Sequence, residues 1–533
     1  MTTHGTADEA TKPARAQPST RLVGALVVRL AICAAFVGIV ALYALLRGGE
    51  FAVMIALAAG FGAYMALNIG ANDVANNVGP AVGARVLTLG SALAIAAVFE
   101  AAGAIIAGGN VVATIRGGII DPELVPDVQS FVWLMMAALL AAAIWLNAAT
   151  ALGAPVSTTH SIVGGVLGGG MAAAGPGIVN WAVMGSIAAS WVVSPVLGAG
   201  ISAALLYLVS RTILQQPDVH AAGCRVVPLL VGAMAWAFAT YLMLKGVQRI
   251  MPVEPGAAAA AGLVAGGLGW LFMRSVVRRR IAMERPGAAA VNRLLTVPLV
   301  FAAALLSFAH GSNDVANAIG PLAAIVDVLS APEGDIAAAA PIPLWVILIG
   351  AIGIVIGLAL FGPRIIRTVG SELTKLDPTR AYCILMAAAL TVILASQLGL
   401  PVSTTHVTVG AVLGVGFLRE YLRASYERTL DEIRAHHPPG DQAAIDAFIS
   451  RFTAAPIAQR GTMLKDLKRR FREDRGTAFL DKKERKRLQK AHRQVLVKRE
   501  LVIRIIAAWL ITVPATALIA AFLFFTLRGM LMP

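Results

Sequence analysis

Charge, aromatic rings and cysteine are all scarce in this chain of 533 residues. Charged residues make up 14% of it and aromatic residues 6%, and there are three cysteines, Cys33, Cys224 and Cys383. The shortage of charge excludes a water-soluble fold, because 58% of residues are hydrophobic and the mean hydropathy is +0.77. That is far more apolar surface than a core in water can cover, so the chain reads as an all-α polytopic membrane protein. The cysteines are isolated and lack CxxC spacing, which excludes a disulfide framework and a thiolate metal site. The formal charge of +15 falls between the apolar runs, as in loops on the positive inner side of a membrane, and argues no nucleic acid partner. The apolar run at 22–46 is too long for a signal-peptide core and has no small-residue cleavage site after it. It reads as a retained helix behind a disordered, cytoplasmic tail at 1–21.

Runs able to cross a bilayer lie near 22–46, 51–68, 87–108, 130–150, 178–210, 226–244, 256–273, 294–309, 343–362, 381–398 and 502–527. Two shorter stretches, 155–174 and 401–417, are rich in Gly and open with Pro. A spanning helix needs about 20 apolar residues, so these two predict broken or re-entrant helices.

Two sequence patterns occur twice. Gly70-Ala71-Asn72-Asp73-Val74-Ala75-Asn76, with Gly79-Pro80 after it, is matched by Gly311-Ser312-Asn313-Asp314-Val315-Ala316-Asn317 with Gly320-Pro321. The stretch Leu152 to Gly170 is matched by Leu398 to Gly416, with 14 of 19 positions identical, including Pro155-Val156-Ser157-Thr158-Thr159-His160 and Pro401-Val402-Ser403-Thr404-Thr405-His406. A weaker pair is Trp191 to Pro195 and Trp509 to Pro514. The order is the same in both halves, which makes the chain a duplicated unit.

Loop charge sets the relative direction of the halves. The segment 419–500 carries 21 Lys and Arg against 12 Asp and Glu, and the loop 274–293 carries six Arg against Glu284; both are placed inside. The loop 110–129 has Arg116 against three acids and belongs outside, whereas its counterpart 363–380, with Arg364, Arg367, Lys375 and Arg380 against two acids, belongs inside. The repeats are therefore expected to be inverted, with the helix breaks of both halves meeting near the midplane, the plan of a secondary transporter. The preferred arrangement is a hairpin that carries Ser157, Thr158 and Thr159, or Ser403, Thr404 and Thr405, at its tip.

The runs around these motifs hold no Lys or Arg, so an anion there would rest on hydroxyls and backbone N–H groups at helix N-termini. Asp73 and Asp314 have the wrong sign for an anion but suit a co-transported cation, or a proton, beside it. N-capping of the helices that follow is their plainer role. His310 stands where the first motif has Ile69, and Glu100 has an apolar counterpart; both are possible coupling residues. His160 and His406 read as hydrogen-bonded structural histidines. Ser157 with His160 does not make a hydrolase, because nothing supplies a base oriented by an acid.

The paired Gly-x-Asn-Asp-Val-Ala-Asn and Pro-Val-Ser-Thr-Thr-His motifs resemble those of the inorganic phosphate transporter (PiT) family over residues 50–528. The resemblance implies import of inorganic phosphate by symport with a sodium ion or a proton, through alternating access across the cell membrane, a bacterial inner membrane. It implies no further cofactor, no resident metal and no enzyme activity, and it allows a homodimer surrounded by membrane lipid. Substrate and coupling cation would be held by Asn72, Asp73, Asn76, Ser157, Thr158, Thr159, Asn313, Asp314, Asn317, Ser403, Thr404 and Thr405. A sulfate symporter of the same fold is the alternative, and an anion channel a more distant one. On this plan 22–46 is an extra helix, 50–210 is the first transport repeat, and 211–293 holds connecting helices and a basic loop. The second repeat is 294–418 with 501–528, interrupted by a basic cytoplasmic insert at 419–500.

Overall fold

A computed structural model gives the fold, and it describes residues 20–47, 49–152, 156–216, 218–249, 251–281, 292–331, 341–372, 376–435 and 499–531, with residues 447, 450 and 451. Most of the tail at 1–21, most of the insert at 419–500, the loop residues 282–291 and Gly153-Ala154-Pro155 lie outside the described residues.

The long helices are α1 Thr20–Leu46, α2 Ala52–Gly83, α3 Leu89–Ala107, α4 Val128–Leu152, α5 Thr158–Ala174, α6 Trp181–Val209 and α7 Val219–Lys245. They continue as α8 Pro255–Ile281, α9 Thr296–Asp314, α10 Ala316–Ser330, α11 Leu344–Glu372, α12 Pro378–Gln397, α13 Thr404–Ala435 and α14 Arg499–Leu531. Among the described residues, eleven stretches are long and apolar enough to cross a membrane, one for each long run in the sequence. Helix is the structure such runs must take, because lipid offers no partner to a backbone N–H or C=O. No strand occurs among the described residues, only an isolated bridge between Ile120 and Val179.

Two expectations change. The Asn-Asp motif of the first half is not a helix break: α2 runs unbroken through it, with Pro80 inside the helix. The second copy is helical as well: Val315, between α9 and α10, keeps helical dihedrals (φ −56°, ψ −32°). Helical order survives because Pro80 and Pro321 each fall a turn beyond the motif. Lacking an N–H, they withhold the i→i−4 donor from the carbonyls of Asn76 and Asn317. The second hydroxyl stretch is also no short segment. Its helix, α13, runs on to Ala435, since nothing helix-breaking follows Gly416 before the charged stretch. By contrast α5 is 17 residues, roughly 25 Å at 1.5 Å per residue, shorter than the hydrocarbon core. It folds back along α4, with Gly165 against Ala138 and Gly169 against Leu134, and so forms the expected hairpin.

The halves grip each other at glycines that have no room for a side chain. A Cβ on Gly70 would overlap the Ile354 carbonyl, and one on Gly357 the Leu67 carbonyl, so α2 and α11 lie side by side in the same direction. The equivalent pair is α3 with α9, where Gly311 meets the Glu100 carbonyl and Gly103 the Phe308 carbonyl. The same exchange joins the hairpins to the later helices: Gly164 and Gly168 of α5 meet Val513 and Ala517 of α14, and Gly410 and Gly414 of α13 meet Pro195 and Ala199 of α6. A half-buried ion pair, Arg116 with Asp327, also ties the first half to the second.

These contacts predict that Gly311→Leu, which drives atoms into the Glu100 backbone, costs more than the roughly 1–3 kcal/mol typical of overpacking a core. Its monodisperse fraction in detergent size-exclusion chromatography should fall sharply. Gly185→Ala, where nothing lies within 4 Å, should match the parent protein.

Candidate functional site

Both Asn-Asp motifs and both hydroxyl loops converge on one buried cluster. Asp73 and Asp314 are 1% and 0% exposed. Neither is an N-cap: Asp73 lies within α2, and Asp314 is the last residue of α9, ahead of an α10 that has no side-chain cap. Asp73 Oδ1 accepts from Asn72 Nδ2 at 3.0 Å, Asn76 Nδ2 at 3.2 Å and Thr405 Oγ1 at 2.9 Å. Its Oδ2 accepts from Thr158 Oγ1 at 2.9 Å. The same Thr158 hydroxyl lies 3.3 Å from Asp314 Oδ2, which also accepts from Thr404 Oγ1 at 3.2 Å. Thr158 therefore stands between the two carboxylates, one from each half.

The second amides cross between the halves. Asn76 Nδ2 donates to Thr405 Oγ1 at 2.8 Å, and Asn317 Nδ2 donates to Thr159 Oγ1 at 3.2 Å and Thr158 Oγ1 at 3.4 Å. The first amides stay within their own half. Asn72 Nδ2 meets the Val156 carbonyl at 3.0 Å, and Asn313 Nδ2 meets the Leu400 carbonyl at 3.3 Å and Ser396 Oγ at 2.9 Å. Ser157 and Ser403 do not reach the carboxylates. Their Oγ atoms cap the hairpin helices, accepting from the amides of His160 at 3.1 Å and His406 at 3.3 Å. With N3 capped, the amides of the first turn of α5 and of α13 still have no partner within the helix, the usual condition for an anion.

His310 and Glu100 join the cluster from the α3–α9 contact. His310 Nε2 lies 3.3 Å from Asp314 Oδ2 and 3.9 Å from Asp73 Oδ2, and its Nδ1 lies 3.3 Å from Glu100 Oε2. Glu100 Oε1 accepts from Asn77 Nδ2 at 2.7 Å. Ligand atoms of Asp73, His310 and Asp314 all fall within 4.8 Å of one another. Three oxygens from the second half, Asn313 Oδ1, Asp314 Oδ1 and Asn317 Oδ1, are buried without accepting a hydrogen bond from the described residues. Carboxylate and amide oxygens are the hard donors that an alkali or alkaline-earth cation prefers. Burying two carboxylates is expensive unless a cation or several donors offset their charge, and several donors are at hand.

All the residues singled out in the sequence are thus near neighbours, with Ser157, Ser403, His160 and His406 one layer behind the carboxylates. Asn77, Ser396 and Thr114 escaped the sequence reading, which named Trp191 only as the start of a weaker repeat. Asn77 had a signal, since it follows Asn76 directly, but Ser396 is an ordinary residue of an apolar run and Thr114 of a loop.

Residues 69–520 match the profile described as the phosphate transporter family. A Helicobacter pylori J99 protein, named provisionally as a phosphate permease, is 47% identical over 512 residues, covering 94% of this chain and 95% of its own. The chain belongs to the phosphate transporter family. A Pyrococcus abyssi protein, also named provisionally as a phosphate permease, is 40% identical over 363 residues and covers 67% of this chain and 87% of its own. A solved structure titled as the sodium-dependent phosphate transporter superposes with a TM-score of 0.72 at 30% identity, covering 90% of this chain and 100% of that one. The protein is accordingly a multi-pass membrane transporter rather than an enzyme.

A hydrogen bond to a charged group contributes roughly 1.5–3 kcal/mol. Thr158→Val removes the one hydroxyl between Asp73 and Asp314 at nearly constant volume, and phosphate uptake should fall roughly tenfold or more. Thr391→Val deletes a hydroxyl bonded only along its own helix, to the Ala387 carbonyl at 2.8 Å, and should leave uptake within about twofold.

Proposed function

We propose that the protein imports inorganic phosphate across the cytoplasmic membrane, a bacterial inner membrane, by symport with a cation and alternating access. The carrying observation is the Thr158 hydroxyl placed between Asp73 and Asp314, which makes one site out of both halves. Phosphate rests on the N-terminal turns of α5 and α13 and on the hydroxyls of Ser157, Thr158, Thr159, Ser403, Thr404 and Thr405, without help from Lys or Arg. The cation lies beside it among Asp73, Asp314 and the side-chain oxygens of Asn72, Asn76, Asn313 and Asn317. It neutralises the carboxylates and brings an anion and two acids into the same pocket.

Sodium is the cation supported by the sodium-dependent structural neighbour. A proton is the second reading, favoured by His310 standing among Glu100, Asp314 and Asp73. Alternating access draws its support from the reciprocal packing. Successive helices α2 and α3 each lie parallel to a helix of the other half, α11 and α9, which suits inverted repeats that exchange roles when one half rocks on the other. Loop charge places the N-terminus and the 419–500 insert inside. Exposed side chains such as Leu263, Leu268, Leu510, Leu518 and Phe522 suit a perimeter in lipid.

Radiolabelled phosphate uptake into proteoliposomes tests this, with an inward sodium gradient, an inward proton gradient, or neither, and with excess sulfate as competitor. The expected result is saturable uptake driven by sodium and resistant to sulfate. Asp73→Asn and Asp314→Asn should each cut the initial rate at least about tenfold, the factor that roughly 1.4 kcal/mol of lost cation binding gives. Normal uptake by either folded variant refutes the cation assignment, and accumulation of sulfate in place of phosphate refutes the substrate.

A further inference from the structure

The second hydroxyl loop is held by its backbone from several directions. Four consecutive carbonyls each accept from a different part of the chain: Gly399 from Thr114 Oγ1 at 2.7 Å, Leu400 from Asn313 Nδ2 at 3.3 Å, Pro401 from Trp191 Nε1 at 3.1 Å and Val402 from Thr159 Oγ1 at 3.0 Å. Gly399 makes the turn into this stretch at φ +68°, a conformation that favours glycine. Asn313 and Thr159 belong to the site itself. Trp191 does not; it projects from α6, a helix of the first half that supplies none of the residues touching Asp73 or Asp314.

Trp191 also reaches the other loop. Its ring centroid lies 3.8 Å from that of His160, and the His160 ring meets His406 edge-on at 4.4 Å. Both histidines belong to the turns capped by Ser157 and Ser403, directly after the threonine pairs. One indole therefore touches the first loop through His160 and the second through the Pro401 carbonyl. Proline has no N–H, so that carbonyl is the single hydrogen-bonding group Pro401 offers, and Trp191 holds it.

We propose that Trp191 is a positioning residue for oxyanion binding, fixing the spacing between Thr158-Thr159 and Thr404-Thr405. It does so through the Pro401 carbonyl and the His160–His406 contact. The proposal rests on the reading that these hydroxyl loops hold phosphate. A residue that merely packed α6 on α13 would alter the amount of folded protein and leave the affinity of that protein alone. A residue that sets loop spacing alters phosphate affinity and leaves turnover alone.

The test compares Trp191→Phe, which keeps a ring against His160 and loses the N–H, with Trp191→His, which keeps a smaller ring and an N–H. In proteoliposomes Trp191→Phe should raise KM for phosphate roughly three- to tenfold, the worth of one hydrogen bond, with kcat within about twofold. Trp191→His should fall between Trp191→Phe and the parent. Amide hydrogen exchange on purified protein without phosphate should speed up in peptides covering 399–406 in Trp191→Phe and stay unchanged over 69–77. Unchanged KM overturns the proposal, whether or not exchange rises, since faster exchange alone would make Trp191 a packing residue. If Trp191→Phe does not accumulate, the same two readings on Trp191→His decide, the displaced N–H giving the same direction. Absence of saturable phosphate uptake in the parent protein refutes the substrate reading, and the proposal that rests on it falls with it.

Discussion

Two carboxylates buried within one hydroxyl group of each other are the constraint that the rest of this structure answers to. Asp73 and Asp314 are out of reach of any lysine or arginine side chain among the described residues, yet both are essentially unexposed. Isolated charges in such a place are too costly to keep, so every side chain that touches them is a donor or an imidazole. Asn72, Asn76, Thr158, Thr404, Thr405 and His310 fill those places, and they come from four separate helices, α2, α5, α9 and α13. A duplicated frame brings so many donors to one point without a long excursion of chain, since each half sends one acid and one hydroxyl loop to the centre.

Bringing them there requires the helices to approach closely. The glycines do this in matched pairs, Gly70 with Gly311 and Gly103 with Gly357, each lying on a carbonyl of the opposite half. Lipid gives helices no hydrophobic drive to associate, so contact has to come from close packing, and absence of a side chain is what permits it. The residues flanking these contacts are the site residues: Asn72 and Asp73 follow Gly70, and Asn313 and Asp314 follow Gly311. Packing and chemistry share one turn of helix, which puts the acids against the seam between the halves rather than inside either half.

Much of this was visible in the sequence because it leaves residue-type signals. Eleven apolar runs became eleven spanning stretches, and two duplicated motifs became one cluster, since polar side chains in apolar surroundings have few reasons to exist. The misses have physical causes. The polar Asn-Asp motif suggested a break with Asp73 as an N-cap, but a helix in contact with other helices carries polar side chains without a break when they find partners outside it. The second hydroxyl stretch looked short because its helix becomes polar after leaving the apolar zone, and hydropathy does not report helix ends. Contacts made to main-chain carbonyls, such as Trp191 to Pro401 and Thr114 to Gly399, place no demand on the identity of the accepting residue and so leave no pattern to read.

The two seams between the halves match in backbone and differ in chemistry, and that difference bears on how charge is handled. Where α2 meets α11 the flanking residues are Ile69 and Ile354, both fully buried and apolar. Where α3 meets α9 their places are taken by His310 and Glu100, joined at 3.3 Å and extended by Asn77. Equivalent glycine contacts support both, so packing alone cannot be the reason for a buried acid and imidazole at one of them. An apolar seam can shift at the cost of van der Waals contact, whereas a polar one must find new partners for each group it uncovers. His310 and Glu100 therefore give the α3–α9 seam a polar contact within 4 Å of both Asp73 and Asp314, which the α2–α11 seam lacks.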